Sequence, residues 1–238
     1  MNVYSKSHIG KVRATNQDYC YVNKIDKNCI LAVVCDGMGG VSGGNVASEI
    51  AVKAVVEEIE SKLSTLRDEP SIKRIMKNAV NVANMVIYQI SEHERDLSGM
   101  GTTIVVAIVV DRSCYIYHAG DSRAYLINDD IIQITKDHSF VQTMLDLGQI
   151  SKDEAKEHPK KNIITRALGI SEVMDFEYNK TVLEENEILL ICTDGLTNHV
   201  SDELILKIVK ENDNPTDKLI KTANENGGSD NITVAVIR

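Results

Sequence analysis

Apolar residues along this chain follow two patterns. Short unbroken runs at residues 20–22, 30–34 and 102–110 predict strands. Elsewhere the spacing is helical. After the cluster Gly37, Gly39, Gly40, Gly43 and Gly44, the residues Val46, Ile50 and Ala54 recur at i, i+4 beside Ala47, Val55 and Ile59. That predicts a helix fading near Ser64. From Pro70 onwards, Ile72, Ile75, Met76, Ala79, Val80, Ala83, Ile87 and Ile90 form a wide stripe, so a second long helix buries one face. Strands follow at 113–118 and 123–127, and Asn128-Asp129-Asp130 reads as a hairpin turn before 131–134. Residues 138–169 interrupt the strands. Within them, Ser151-Lys152-Asp153-Glu154 is a capping-box pattern that starts a helix. A strand at 187–192, helices at 201–211 and 216–226, and a closing strand at 232–237 complete the pattern.

Strands and helices do not alternate one by one. This argues against a doubly wound parallel sheet and for sheet packed on sheet with helices outside. No repeat divides the chain, so residues 1–238 read as one domain with 138–169 as a surface insertion.

Composition narrows the function. The net charge of −9 disfavours nucleic acid or an anionic membrane as the main partner. With no Trp and two Phe, a base-stacking platform or a carbohydrate cleft is disfavoured. The five cysteines are odd in number and form no C-x-x-C, which predicts buried free thiols in a reducing compartment. No apolar run approaches the roughly 20 residues of a membrane span, and the N-terminus lacks a signal-peptide core. The expectation is a soluble, cytoplasmic protein.

The candidate chemistry lies in carboxylates. Asp36, Asp121 and Asp194 follow apolar runs, and Asp230 precedes one; each sits beside Gly37, Ser122, Gly195 or Asn231. Singly, each is a turn residue. If strand ends converge, however, four carboxylates would repel one another unless cations lay between them. Hard oxygen ligands without a His or Cys cluster favour magnesium or manganese over zinc. Arg13, five residues before Asp18, offers a planar fork suited to phosphate oxygens. Competing motifs fail: Ser42 breaks G-x-G-x-x-G, and there is no P-loop, H-E-x-x-H or G-x-S-x-G.

Eight stretches in order then resemble the bacterial metal-dependent serine/threonine protein phosphatases, the protein phosphatase 2C-like family. They are R-x-x-N-Q-D at 13–18, V-C-D-G-M-G-G at 34–40, G-M-G-T-T at 99–103, A-G-D-S-R at 119–123, D-H-S at 137–139, N-I-I-T-R-A-L-G at 162–169, C-T-D-G-L at 192–196 and S-D-N at 229–231. The resemblance implies an α+β fold, a four-layer α-β-β-α sandwich of two antiparallel sheets flanked by helices. It implies two or three divalent cations, Mn2+ or Mg2+, and hydrolysis of phosphoserine or phosphothreonine on proteins by a metal-bridged water.

By the same resemblance Asp36 bridges both ions, the Gly37 carbonyl completes one shell, and Asp194 and Asp230 ligate the other ion. Asp18 acts through water, Asp121 holds a third ion, and Arg13 binds phosphate. Catalysis falls to Asp36, Asp194, Asp230 and Asp18. Residues 138–169 match the family's flap, a mobile segment beside the site that selects substrates. Partners would be phosphorylated proteins and the serine/threonine kinase opposed, met by a monomer. Gln17 and Met38 stand where many relatives have Glu and a proton-donating His, leaving His138 or a metal-bound water as candidate acid. Two further classes compete. Another two-metal phosphoesterase, such as a nuclease, would act on nucleic acid. A non-catalytic phosphoprotein binder would be expected to lack one of Asp36, Asp194 and Asp230, yet all are present.

Overall fold

Successive residues of a strand face opposite sides of its sheet. In the computed structural model, which describes residues 1–63 and 67–238, both sides of the central strands are covered. The first half of the chain contains β1 (Val3–His8), β2 (Asp18–Lys24), β3 (Cys29–Met38), α1 (Gly40–Leu63), α2 (Glu69–His93), β4 (Gly101–Thr102) and β5 (Ile104–Val110). Next come β6 (Ser113–Ala119), β7 (Arg123–Ile127), β8 (Ile131–Gln133), α3 (Phe140–Asp146) and α4 (Lys152–Glu157). The chain ends with β9 (Glu177–Val182), β10 (Ile188–Cys192), α5 (Asp194–Thr197), α6 (Asp202–Glu211), α7 (Thr216–Glu225) and β11 (Ile232–Ile237).

Two antiparallel sheets result. One runs β1-β11-β10-β7-β8; the other runs β2-β3-β5-β6-β9, with β4 pairing β3. Three apolar cores separate four layers. Ile30, Ala32 and Val34 of β3 point between the sheets, where they meet Val105, Leu189, Ile191 and Ala235. Leu31, Val33 and Cys35 point the other way, onto α1 and α2. On the far side, α6 and α7 cover β10 and β11 through Ile205, Val209, Leu219 and Ala223. Each fully buried aliphatic side chain contributes about 1.5–3 kcal/mol relative to exposure.

The predicted sandwich and its flanking helices are therefore found. The capping box is present too: the Ser151 hydroxyl accepts from the Glu154 N–H, and the Glu154 carboxylate accepts from the Ser151 N–H. Four of the five cysteines are buried, Cys20 is half-buried, and all five are free. The end of the first helix near Ser64 lies outside the described residues. The single strand expected over 102–110 breaks at Thr103 into β4 and β5. Four elements had no clear signal, the single-turn α5 among them. β1 and β9 are half-exposed edge strands with mixed polarity, and α3 has no fully buried residue.

Candidate metal centre

Strand register brings the predicted carboxylates to one end of the sandwich. Asp18 opens β2 and pairs directly with Asp36 of β3. In the other sheet Cys192, the last residue of β10, lies against Val234 of β11 and Arg123 of β7. Asp194 just beyond β10, Asp230 just before β11 and Asp121 just before β7 therefore share an end. Asp36 does not close its strand as the sequence suggested; β3 runs two residues further, to Met38. Asp194 likewise opens the short α5, where its Oδ2 accepts from Asn198 Nδ2 at 2.9 Å.

The cluster is electrostatically tight. Burial, then the charges of Asp18, Asp194, Asp121 and Asp230, push the Asp36 carboxyl well above the usual carboxylate range. Burial first and then Asp230 raise Asp194, against a lowering hydrogen bond with Asp36. Asp121 is pushed up to about 8 by burial, Asp194 and Asp137. Asp18 is 5% exposed and rises to about 7, because burial outweighs two hydroxyl bonds. Those hydroxyls come from the opposite sheet: Thr233 Oγ1 at 2.6 Å and Thr193 Oγ1 at 3.0 Å both donate to Asp18 Oδ2. Asp18 Oδ1 and Asp194 Oδ1 are buried without a hydrogen-bond partner among the described residues. Repelling carboxylates with orphaned oxygens suit divalent cations, which satisfy both the charge and the lone pairs.

Neighbouring residues hold this arrangement. Arg13 at the rim donates through Nη2 to Asp230 Oδ2 at 2.8 Å. Its loop is fastened by Asn231, which donates to the carbonyls of Ile9 (2.9 Å) and Thr15 (3.0 Å) and accepts from the Gln17 N–H (2.8 Å). The Gln17 side chain donates to the Gly40 carbonyl at the start of α1. Gly37 is obligatory, since a Cβ there would lie 2.0 Å from the Gly44 carbonyl oxygen. The Thr103 hydroxyl accepts from the Asp36 N–H and meets the Ser122 hydroxyl at 2.8 Å. Thr103, Ser122, Thr193, Asn231 and Thr233 were not singled out from sequence as supports of the site. Most stand close in the chain to a predicted aspartate, but the partner each one holds is distant.

His138 does not join the carboxylates. It is 8% exposed, its Nδ1 accepts from the Gly120 N–H, and its Nε2 lies 3.2 Å from Glu177 Oε2. Burial, then His118 and Arg166, lower it to about 4, so the ring is neutral, and Arg166 Nη1 also lies 3.1 Å from its Nε2. With both nitrogens engaged it is no ready acid. His118, His138 and Glu177 do bring ligand atoms within 4.8 Å of one another. The two rings, however, are stacked at 4.6 Å and 5°. Their lone pairs lie in separate parallel planes, so one ion cannot sit in both.

Comparisons with known proteins cover nearly the whole chain. Residues 6–232 match the family model described as protein phosphatase 2C. The chain is 37% identical to the serine/threonine phosphatase stp of Listeria monocytogenes over 241 residues, covering 100% of this chain and 95% of that protein. The structure of the Streptococcus agalactiae serine/threonine phosphatase superposes with a TM-score of 0.93 at 32% identity, covering 99% of this chain and 98% of the other. The catalytic domain of the serine threonine protein phosphatase PstP, in complex with two manganese ions, gives 0.86 at 34% identity, covering 99% and 96%. With nearly the whole chain matched at this level, the protein belongs to the protein phosphatase 2C family.

Proposed function

We propose that this chain hydrolyses phosphoserine and phosphothreonine on proteins, using divalent cations held by the aspartate cluster. The observation that carries this reading is the meeting of Asp18, Asp36, Asp121, Asp194 and Asp230 beside Arg13, with two buried carboxylate oxygens left unpaired. Asp36, the Gly37 carbonyl, Asp194 and Asp230 would hold two ions, Asp121 a weaker third, and Asp18 would act through water. Manganese or magnesium there would polarise phosphoryl oxygens and make water a stronger nucleophile near neutral pH.

The chain's own residues do the rest. The Arg13 guanidinium is exposed on one face and anchored to Asp230 on the other, so it can engage a phosphoryl group by exchanging one partner for another. Asn231 fixes the loop from which it projects. Thr193 and Thr233 hold Asp18 by Oδ2 and leave Oδ1 free for the cluster. Met38 has no proton to give, and His138 is engaged elsewhere, so the departing serine or threonine oxygen is protonated by water at the open rim.

Residues 1–238 act as one phosphatase domain, with 138–169 as its substrate-facing flap. The protein works as a cytoplasmic monomer opposing a serine/threonine kinase; its free cysteines fit a reducing compartment. No helix among the described residues is long and apolar enough to cross a membrane.

The test is hydrolysis of a phosphothreonine peptide. Chelator should abolish it and Mn2+ restore it. Asp36→Asn should lower kcat by roughly 10²–10³-fold, the scale of losing a main electrostatic element of a site. Full turnover in excess chelator, or preferential cleavage of nucleic acid, would remove this reading.

A further inference from the structure

A groove of about 880 Å3 leaves the aspartate cluster at Asp121 and Asp194. One wall is the flap, with α3 and α4; the other is the turn after α5 and the start of α6. A phosphoresidue placed at the cluster would lay its neighbours along this groove. The groove's charge balance departs from that of the molecule. Leaving aside Asp121 and Asp194, its positive side chains outnumber the negative five to three, on a chain of net charge −9.

The excess lies on the flap. Arg123 and Asp137 on the floor neutralise each other in a two-pronged bond of 2.9 and 2.7 Å. Lys136 is engaged by Asp146. Lys152 and Lys161, both exposed, form no ion pair among the described residues. Lys156 meets exposed Asp153 at 3.3 Å. Its field also reaches the other wall: Glu203 is held below its usual range by Ser201, by its own backbone N–H and by Lys156. Three ammonium groups thus face an open groove.

We infer that this groove reads acidic residues flanking the phosphorylated serine or threonine, with Lys152, Lys156 and Lys161 as the specificity-determining contacts. The inference rests on the phosphatase reading above. Lysine suits this kind of recognition, because a flexible point charge tolerates carboxylates at several positions without demanding one backbone pose. Complementary charge at this exposure acts on encounter and selection more than on the chemical step. The capping box serves the same end, because it fixes the short helix that carries Lys152 and Lys156.

The experiment compares three phosphothreonine peptides that differ only in the residues on each side of the phosphothreonine: Asp, Ala or Lys. The wild-type kcat/KM should fall about tenfold from the Asp to the Lys peptide, the sum of a few exposed ion pairs. The change should lie mainly in KM and narrow in high salt. In K152E/K156E/K161E the Asp-to-Lys ratio should fall to one or invert, and in K152Q/K156Q/K161Q it should be intermediate. A ratio taken within one enzyme is independent of how much of it is folded. Equal use of the three peptides by the wild type, or a preference that survives the charge reversal, overturns the inference. Parallel assays with p-nitrophenyl phosphate and Mn2+ separate the two levels: no hydrolysis of that ester would overturn the phosphatase reading itself.

Discussion

At the scale of single residues, the site depends on side chains that never touch substrate. Asn231 is 4% exposed and spends three hydrogen bonds on the 9–17 loop, so the position of Arg13 relative to Asp230 is set from the other end of the chain. Asn231→Ala would remove three part-buried hydrogen bonds from this loop, each contributing about 0.5–1.5 kcal/mol. Denaturant unfolding should show a loss of at least that size, and steady-state kinetics a raised KM as the Arg13 loop loosens. An unchanged midpoint and KM would mean the loop is held by other contacts. Asp36, Asp121, Asp194 and Asp230 were legible from sequence because each stands at the edge of an apolar run, and Asp18 through the motif at 13–18. Asn231 was legible only as part of a motif; its role needs partners 214 to 222 residues away.

At the scale of elements, the central strands explain why the sequence shows runs rather than alternation. β3 is buried on both faces, with Val33 against the helices and Val34 between the sheets. Putting a hydroxyl on either face buries a polar group without water, at about 1–3 kcal/mol. Val33→Thr and Val34→Thr should therefore destabilise to a similar degree, measured by chemical unfolding. A large effect from one and none from the other would mean that one face of β3 is wetter than described. Edge strands behaved differently. β9 mixes exposed and half-buried positions and borrows its strand character from pairing with β6, which no local pattern announces. Helix ends were easier, because Ser151 and Ser201 cap the helices that directly follow them in the chain.

At the scale of the whole molecule, five carboxylates brought together tie stability to pH and metal. Asp18 is raised from 3.8 to about 7 and Asp121 from 3.8 to about 8. A raised carboxyl stabilises the fold while it is protonated there and ionised in the unfolded chain, relative to the state in which both are ionised. That contribution is complete below the unfolded value and is lost as pH rises through 7 to 8. The lowered His118 and His138 work in the opposite sense, but only below about pH 6.5, where the unfolded imidazole takes a proton. In chelator, the Tm should therefore fall between pH 6.5 and 8. Excess Mn2+ should shrink or reverse that fall, because cations bind the ionised carboxylates. A Tm in chelator that is flat or rises across this range would contradict the electrostatics of the cluster.

The sequence by itself determined the central strands and long helices, the caps, the free thiols and the identity of the clustered aspartates. These follow from local periodicity, from residue type and from the resemblance carried by eight ordered motifs. Only the tertiary structure decided that β3 extends past Asp36, that Thr193 and Thr233 cross between sheets to hold Asp18, and that His138 turns towards Glu177. It alone placed three flap lysines over a groove that opens from the aspartates. The reason is physical: strand register and sheet packing bring together residues more than two hundred positions apart, and the energy of such a pair is absent from any short window of sequence.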